Sequence, residues 1–310
     1  MNFSLKKALL AMGVTGAMFL AACSGNDAND EQNDATNDTQ TENIGEMVDY
    51  TITGIEPGAG ISVTTEKALE EYENLAGWSV ELSSTAAMMA ELDKAIENEE
   101  PIIITGWNPH WMFAKYPDMK YLEDPQNIYG GEEGINTLAR IGLEEDMPEA
   151  YKIIDQFEWN VEDMEDIMYE AEDTGEEVED VAKRWVEENE DKVAAWTEGV
   201  EDVDGEEFKL VSTPWDSERA SSGVLKEVME QKGFNVTVTP VDVAIVFESV
   251  ANGDADATVA AWLPQTHKDF YEKHQDDMVD LGPNLMGTRI GLTVPAYMDI
   301  DSIEDLEPKN

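Results

Sequence analysis

The chain contains very little cysteine and histidine. Cys23 is the only cysteine among 310 residues, and three histidines are present. No disulfide can therefore form within one chain, and neither a cysteine nucleophile nor a thiolate metal site is expected. The sequence also has no metal-ligand spacing, no dinucleotide-binding fingerprint and no Ser–His–Asp arrangement that can be placed. We therefore expect no metal, no cofactor and no enzymatic activity.

Basic residues are scarce as well. Lysine and arginine total 19 against 69 aspartates and glutamates, which gives a formal net charge of −50. A nucleic-acid partner is excluded, because binding one requires a cationic face. The acidic excess could mark a cation site, but it favours a solvated shell suited to a salty exterior, where the Debye length at about 1 M salt is roughly 3 Å. We expect a halophilic or salt-tolerant source.

The N-terminus has the layout of a bacterial lipoprotein leader. Two lysines precede an apolar core at residues 8–20, which is too short to span a bilayer comfortably. The Leu-Ala-Ala-Cys run ending at Cys23 resembles a lipobox, in which the cysteine is lipid-modified; the alternative is an ordinary signal peptide with a chance cysteine. We predict a signal peptide at 1–22 and a lipidated acidic tether at 23–46, which holds the protein outside the cytoplasm, on the outer face of the cell membrane.

The remaining chain alternates strands with helices. A βαβαβ rhythm from Val48 to Thr105, with a helix from about Thr85 to Asn98, and a second βαβ run from Phe208 to Ala261 predict an α/β fold with mostly parallel strands. Residues 160–200 are helical and very acidic, with an apolar stripe that includes Trp185. Arg289–Val294 is one further strand. Two α/β units of this kind predict a two-lobed clamshell.

Three tryptophans follow short apolar, strand-like runs. They are Trp107, Trp215 and Trp262. Ligands in open α/β sheets bind beyond the carboxyl ends of the strands, so the three rings could converge there. An aromatic box of this kind holds a quaternary ammonium group through cation–π attraction. A tryptophan taken singly is more often a core residue than a ligand residue, and we interpret the other five as core: Trp78, Trp111, Trp159, Trp185 and Trp196.

A glycine-rich turn and one histidine suggest a place for a carboxylate. The turn at residues 56–61 joins a strand to a helix, where backbone N–H groups attract an anion, although a plain β–α turn is the alternative. His267 comes five residues after Trp262 and could donate to a carboxylate, or could be an ordinary surface residue. His110 and His274 are interpreted as structural or surface residues. An aromatic box beside a carboxylate pocket indicates a zwitterion with a methylated onium group and a short acid arm.

Three longer runs resemble the glycine betaine-binding lipoproteins of Bacillus-type OpuA transporters, the OpuAC family. They are Thr105–Phe113, Ala260–His267 and Asp280–Leu285. The resemblance extends from about residue 48 to the C-terminus. It implies a type II periplasmic-binding-protein fold in a circularly permuted order. One lobe would then lie at 47–118, completed by 289–310, and the other at 119–288.

The resemblance also implies the ligand and the site. Three tryptophans would surround the trimethylammonium, and two backbone amides and a histidine would meet the carboxylate: Trp107, Trp215 and Trp262, then Gly60, Ile61 and His267. The expected partners are glycine betaine, the membrane subunits of an ABC importer and, through Cys23, the membrane itself. We expect a monomer. Proline betaine, carnitine, dimethylsulfoniopropionate and choline remain alternative ligands, and an adhesion or structural lipoprotein is the alternative class.

Overall fold

The computed structural model describes residues 43–309, and these form two α/β lobes. The predicted signal peptide, Cys23 and most of the predicted tether lie outside the described residues. The last positions assigned to the tether are helical, because Asn43 caps a short helix by accepting the N–H of Glu46 and also donates to Glu307. Within residues 43–309, no helix has both the length and the apolar character needed to cross a membrane.

The first lobe is a sheet flanked by helices. Its elements in chain order are α1 (Ile44–Met47), β1 (Thr51–Gly54), α2 (Gly60–Glu71), β2 (Ser79–Leu82), α3 (Thr85–Asn98), β3 (Ile104–Asn108), α4 (Met112–Lys115) and β4 (Met119–Tyr121). β1 pairs in parallel with both β2 and β3. Helix α3 has the bounds that its sequence predicts, since the hydroxyl of Ser84 accepts the N–H of Ala87 and so caps the first turn.

The second lobe repeats this arrangement around another sheet. Its elements are β5 (Glu133–Arg140), α5 (Leu143–Asp146), α6 (Pro148–Gln156), α7 (Val161–Thr174), α8 (Val178–Glu188), α9 (Glu190–Trp196), β6 (Glu207–Ser212), α10 (Asp216–Gln231), β7 (Asn235–Pro240), α11 (Val243–Ala251), β8 (Ala257–Leu263) and α12 (Lys268–His274). β6 pairs in parallel with β7 and β8, and β5 runs antiparallel to β8.

One long strand, β9 (Met278–Pro295), belongs to both sheets. Its first part pairs with β5, up to Thr288, and its second part pairs with β3 and β4. The strand order is therefore β2-β1-β3-β9-β5-β8-β6-β7, with β4 on the other side of β9. The predicted α/β fold is confirmed. The strand predicted at Arg289–Val294 covers only the second part of β9.

Two strands differ from the sequence interpretation. β5 was not predicted, and β4 was assigned to the lobe at 119–288 although it pairs with β9 in the first sheet. Both strands run antiparallel to β9. Gly282 and Gly287 of β9 have positive φ, and its pairing with β5 shifts register. These irregularities interrupt the alternation of buried and exposed residues by which a strand is predicted. The chain therefore crosses between the lobes after β4 and again along β9.

The acidic region at 160–200 is helical as predicted and forms three helices, α7, α8 and α9. Asn160 caps α7 and Gly175, with φ +72°, ends it. The four smaller apolar residues of the predicted stripe are buried, whereas Trp185 is half-buried at its edge. Four other tryptophans expected in the core are buried there: Trp78, Trp111, Trp159 and Trp196.

Candidate ligand-binding site

A small cavity lies between the two lobes. The first lobe contributes Ile55, Ala59, Gly60, Ile61, Trp107 and Ile290, and the second contributes Trp215, Trp262, Thr266 and His267. The six residues that the sequence analysis singled out for ligand binding all line this one cavity. Among the described residues that line it, His267 is the one ionisable side chain.

The three tryptophans reach the cavity from three different elements. Trp107 lies on β3, where it pairs with Ile290 of β9, and Trp262 lies near the end of β8. Trp215 follows β6 and is the N-cap residue of α10. Trp107 and Trp262 are 5% and 4% exposed, and Trp215 is half-buried. The side chains thus meet at the carboxyl ends of parallel strands, the usual ligand edge of such sheets.

The start of α2 supplies backbone donors. Gly58, with φ +85°, allows the tight turn that leads into the helix. Ala59 provides no side-chain cap, so the first N–H groups of the helix, at Gly60 and Ile61, have no partner within the helix. The helix dipole and these free N–H groups together favour an anion.

Gly60 is also a point of close contact between the lobes. A Cβ atom at this position would lie 2.4 Å from Cγ2 of Thr266 and 2.7 Å from its carbonyl oxygen. Real Cβ atoms do not approach other atoms so closely. The closed arrangement of the two lobes therefore requires glycine at position 60.

His267 presents a defined N–H donor from the second lobe. Its Nδ1 accepts the backbone N–H of Trp262 at 3.1 Å, so the proton of the neutral ring resides on Nε2. Burial lowers the pKa of His267 to about 3, which keeps the ring neutral at ordinary pH. Phe247 packs edge-on against the imidazole, with ring centroids 5.8 Å apart.

Comparison with known proteins assigns the chain to a family. Residues 29–188 and 206–310 match OpuAC, the substrate binding domain of the ABC-type glycine betaine transport system. The chain is also 48% identical over 266 residues to the glycine betaine/carnitine transport binding protein GbuC of Listeria monocytogenes serotype 1/2a (strain 10403S), covering 85% of this chain and 88% of that protein. The chain belongs to the OpuAC family. Members are substrate-binding components of transporters rather than enzymes.

Solved structures with related sequences match part of this OpuAC chain. Lactococcal OpuAC, closed on glycine betaine, is 47% identical with a TM-score of 0.46, covering 48% of this chain and 57% of that chain. ProX from Borrelia burgdorferi, from a glycine betaine, L-proline transporter, is 36% identical with a TM-score of 0.47, covering 49% and 57%. The family assignment rests on the two sequence matches.

Three tryptophans of this OpuAC protein donate their indole N–H groups to carboxylates that the sequence did not reveal. Trp215 Nε1 donates to Glu56 across the cleft at 3.2 Å, and Trp262 Nε1 donates to buried Glu218 at 2.6 Å. Trp111, assigned only to the core, donates from the first lobe to Asp216 in the second at 3.1 Å. Among 69 acidic residues, no sequence pattern distinguishes these three.

Two further buried residues support the cavity wall. The carboxylate of Glu133, at the start of β5, accepts the backbone N–H groups of Gln265 and Thr266, and so holds the turn that leads into His267. His110, assigned to structure or surface, is 1% exposed and meets the ring of Trp107 edge-on at 4.5 Å. Burial lowers the pKa of His110 to about 3.

Proposed function

We propose that this OpuAC-family protein captures glycine betaine in the cleft between its lobes. The tryptophan cage would surround the trimethylammonium group: Trp107, Trp215 and Trp262. The N–H groups of Gly60 and Ile61 and Nε2–H of His267 would receive the carboxylate. One observation carries this assignment: a single cavity combines aromatic faces from both lobes with three neutral N–H donors.

The two parts of the site, the aromatic cage and the carboxylate donors, together account for selectivity. Each aromatic contact with a desolvated onium group contributes about 0.5–2 kcal/mol. Choline carries the same onium but lacks the carboxylate, so it would leave the buried N–H donors unpaired at a cost of about 1–3 kcal/mol. Glycine carries the carboxylate but has no methyl groups to fill the cage.

Binding would couple the ligand to lobe closure. The cage draws on both lobes, and so does the set of carboxylate donors, so a bound zwitterion bridges them and stabilises the closed state. The closed protein would then be recognised by the membrane subunits of an ABC importer. We propose further that Cys23 carries the lipid anchor on the outer face of the membrane and that the protein acts as a monomer.

Carnitine is the second candidate ligand. The Listeria relative that is 48% identical is named for both glycine betaine and carnitine. Carnitine carries the same onium and carboxylate groups on a longer, hydroxylated chain. A longer ligand needs more room between the cage and the carboxylate donors than glycine betaine does, so the relative affinity of the two ligands is decided by titration.

Calorimetric titration of the purified protein at high salt tests the proposal. Glycine betaine, carnitine, choline and glycine are titrated separately, with tryptophan fluorescence as a second signal. We expect saturable binding of glycine betaine and no heat from choline or glycine. Equal affinity for choline would remove the carboxylate site from the proposal. No binding of any onium compound would refute the proposed ligand.

A further inference from the structure

Glu218 is a buried carboxylate directly behind the tryptophan cage. It is 1% exposed and lies in the first turn of α10. One of its oxygens accepts the indole N–H of Trp262 at 2.6 Å, and the other accepts the hydroxyl of Ser217 at 2.6 Å. Trp262 itself lines the cavity. A single ring therefore separates this carboxylate from the space that the cage encloses.

No cation of the described chain neutralises Glu218. None of the ion pairs within residues 43–309 involves it, and the nearby Arg219 is paired instead with carboxylates of α8 and with Asp216. A carboxylate buried without a positive partner is costly in its charged form. Hydrogen bonds and the start of α10 favour its ionised form, but Glu218 has no cationic side chain as a partner.

The other charged and titratable groups around the start of α10 do not supply such a partner. Asp216 raises the pKa of Glu218, and neutral His267 bonds only the backbone of Trp262. Lys115 of the first lobe is held by Asp93 and by Glu172 of α7. The acidic residues at the start of α8 bind Arg219: Glu177, the N-cap residue, and Glu179. The basic residues of α8 are paired as well, Lys183 with Glu227 and Arg184 with Glu170 and Glu176.

We propose that Glu218 is the counter-charge of the cage, so that capture of an onium group and ionisation of Glu218 are coupled. This inference rests on the proposed function. Glu218 acts through Trp262 and is a positioning residue: its carboxylate orients the indole and makes the ring a better partner for a cation. The ligand brings the positive charge that the buried carboxylate lacks.

The coupling has a defined sign. Burial raises the pKa of Glu218 to about 7 in the empty protein, so the group is partly protonated at neutral pH. A bound cation favours the ionised form and lowers this pKa. Binding below neutrality must therefore release a fraction of a proton, and affinity must rise with pH. Glycine betaine itself does not titrate in this range, because its onium carries no proton and its carboxylate is ionised.

The test compares the full-length chain with Glu218→Gln. The glutamine amide keeps a hydrogen-bond acceptor for Trp262 but carries no charge. We expect the parent to bind glycine betaine about tenfold more weakly at about pH 5.5 than at about pH 8.5, and to release protons when titrated in buffers of different ionisation enthalpy. Glu218→Gln should bind with pH-independent affinity and without proton release, and more weakly than the parent at high pH.

Glu56→Gln is the matched control, because it makes the same change at the carboxylate that bonds the other cage indole, that of Trp215. Whatever its effect on affinity, it should retain the pH dependence of the parent. A second probe is 3,3-dimethylbutanoate (tert-butylacetate), the carbon isostere of glycine betaine, which keeps the carboxylate but has no positive charge. Above about pH 6.5, where its own carboxylate is fully ionised, its binding should not strengthen with pH.

The outcomes separate the two proposals. Saturable binding of glycine betaine with the same pH dependence in the parent and in Glu218→Gln would overturn the role of Glu218 and leave the proposed function intact. Strengthening of 3,3-dimethylbutanoate binding above about pH 6.5 would also overturn it, because that probe is then fully ionised and carries no positive charge. Failure of the parent to bind glycine betaine at either pH would overturn both.

Discussion

Glu56 and Trp215 form a hydrogen bond across the cleft, with the indole N–H of the second lobe 3.2 Å from a carboxylate oxygen of the first. The same carboxylate accepts the backbone N–H and the hydroxyl of Thr85, both at 2.9 Å, where α3 begins. Glu56 therefore connects a cage tryptophan to a helix of the opposite lobe. Opening of the cleft would separate these two residues and break the contact.

Replacement of Glu56 by alanine should weaken ligand binding. A hydrogen bond to a charged group contributes about 1.5–3 kcal/mol, of which a half-buried pair retains only part, so we expect the Kd for glycine betaine to rise about tenfold. Thr85→Ala removes one bond to Glu56 but leaves the bond to Trp215, and should change the Kd little. Fluorescence titration measures both. Equal effects of the two substitutions would assign Glu56 to helix capping alone.

Gly60→Ala should prevent closure without unfolding the protein. Alanine is favourable at the start of a helix, but its methyl group would collide with the backbone of Thr266 in the other lobe. We expect at least a tenfold loss of affinity with an unchanged urea midpoint. Gly131→Ala is the matched control, since a Cβ there meets no atom within 4 Å. Normal binding by Gly60→Ala would show that the closed contact is dispensable.

Trp215→Ala should lower affinity by about tenfold through loss of one face of the cage. The control is Trp185→Ala, because Trp185 is also half-buried but stacks on Trp196, with centroids 6.2 Å apart, and does not line the cavity. Calorimetry of both variants and of the parent gives the comparison. If the two substitutions weaken binding equally, the loss reflects general destabilisation rather than the cage.

Stability without ligand should fall in acid. The two buried histidines, His110 and His267, have pKa values of about 3 in the folded protein, against an ordinary value of 6.5, so the unfolded chain binds more protons between these limits. The free energy of unfolding must therefore decrease as pH falls through this window, by up to about 1.4 kcal/mol per pH unit for each histidine.

Glu218 opposes this trend over part of the window. Its raised pKa makes the folded protein bind the extra proton between pH 4.5 and about 7, so its contribution to stability is lost as pH rises through that range. The free energy of unfolding should therefore decrease most steeply with falling pH below pH 4.5, where Glu218 no longer opposes the histidines. His110→Asn keeps an acceptor for the N–H of Met112 and should flatten the decline in urea unfolding. A slope equal to that of the parent would place the acid sensitivity elsewhere.

High salt should stabilise the protein. The chain has a formal net charge of −50, and screening of that self-repulsion grows as the Debye length shrinks from about 10 Å at 0.1 M to about 3 Å at 1 M. We expect the Tm to rise over this range in potassium chloride. Sucrose at the same osmolality is the control, because it is excluded from the protein surface but does not screen charges. A Tm that falls with salt would show that the surface ion pairs outweigh the repulsion.

The sequence predicts the parallel parts of this fold better than the antiparallel ones. Helix α3 has its predicted bounds because a serine cap and an apolar stripe coincide there. β5 escaped prediction, because its pairing depends on a partner more than a hundred residues away whose glycines interrupt the pattern.

The candidate site is also predictable only in part. Three tryptophans at the ends of strand-like runs, a glycine turn and a nearby histidine are visible in the sequence, and they meet in one cavity. Glu218 could not be predicted, because a glutamate near the start of an acidic helix looks solvent-exposed until its burial is known. Trp111 was assigned to the core for a similar reason, since only the folded chain brings it to Asp216.

The strand shared by the two sheets has a consequence for biosynthesis. β9 lies between β3 and β5 and is made after every other strand of both lobes. As the chain emerges from its N-terminus to its C-terminus, whether from the ribosome or across a membrane, those two neighbours keep unpaired edges, and neither sheet can be completed before residues 278–295 have emerged. The two lobes thus reach their final form together, and a chain cut short before β9 would leave both unfinished.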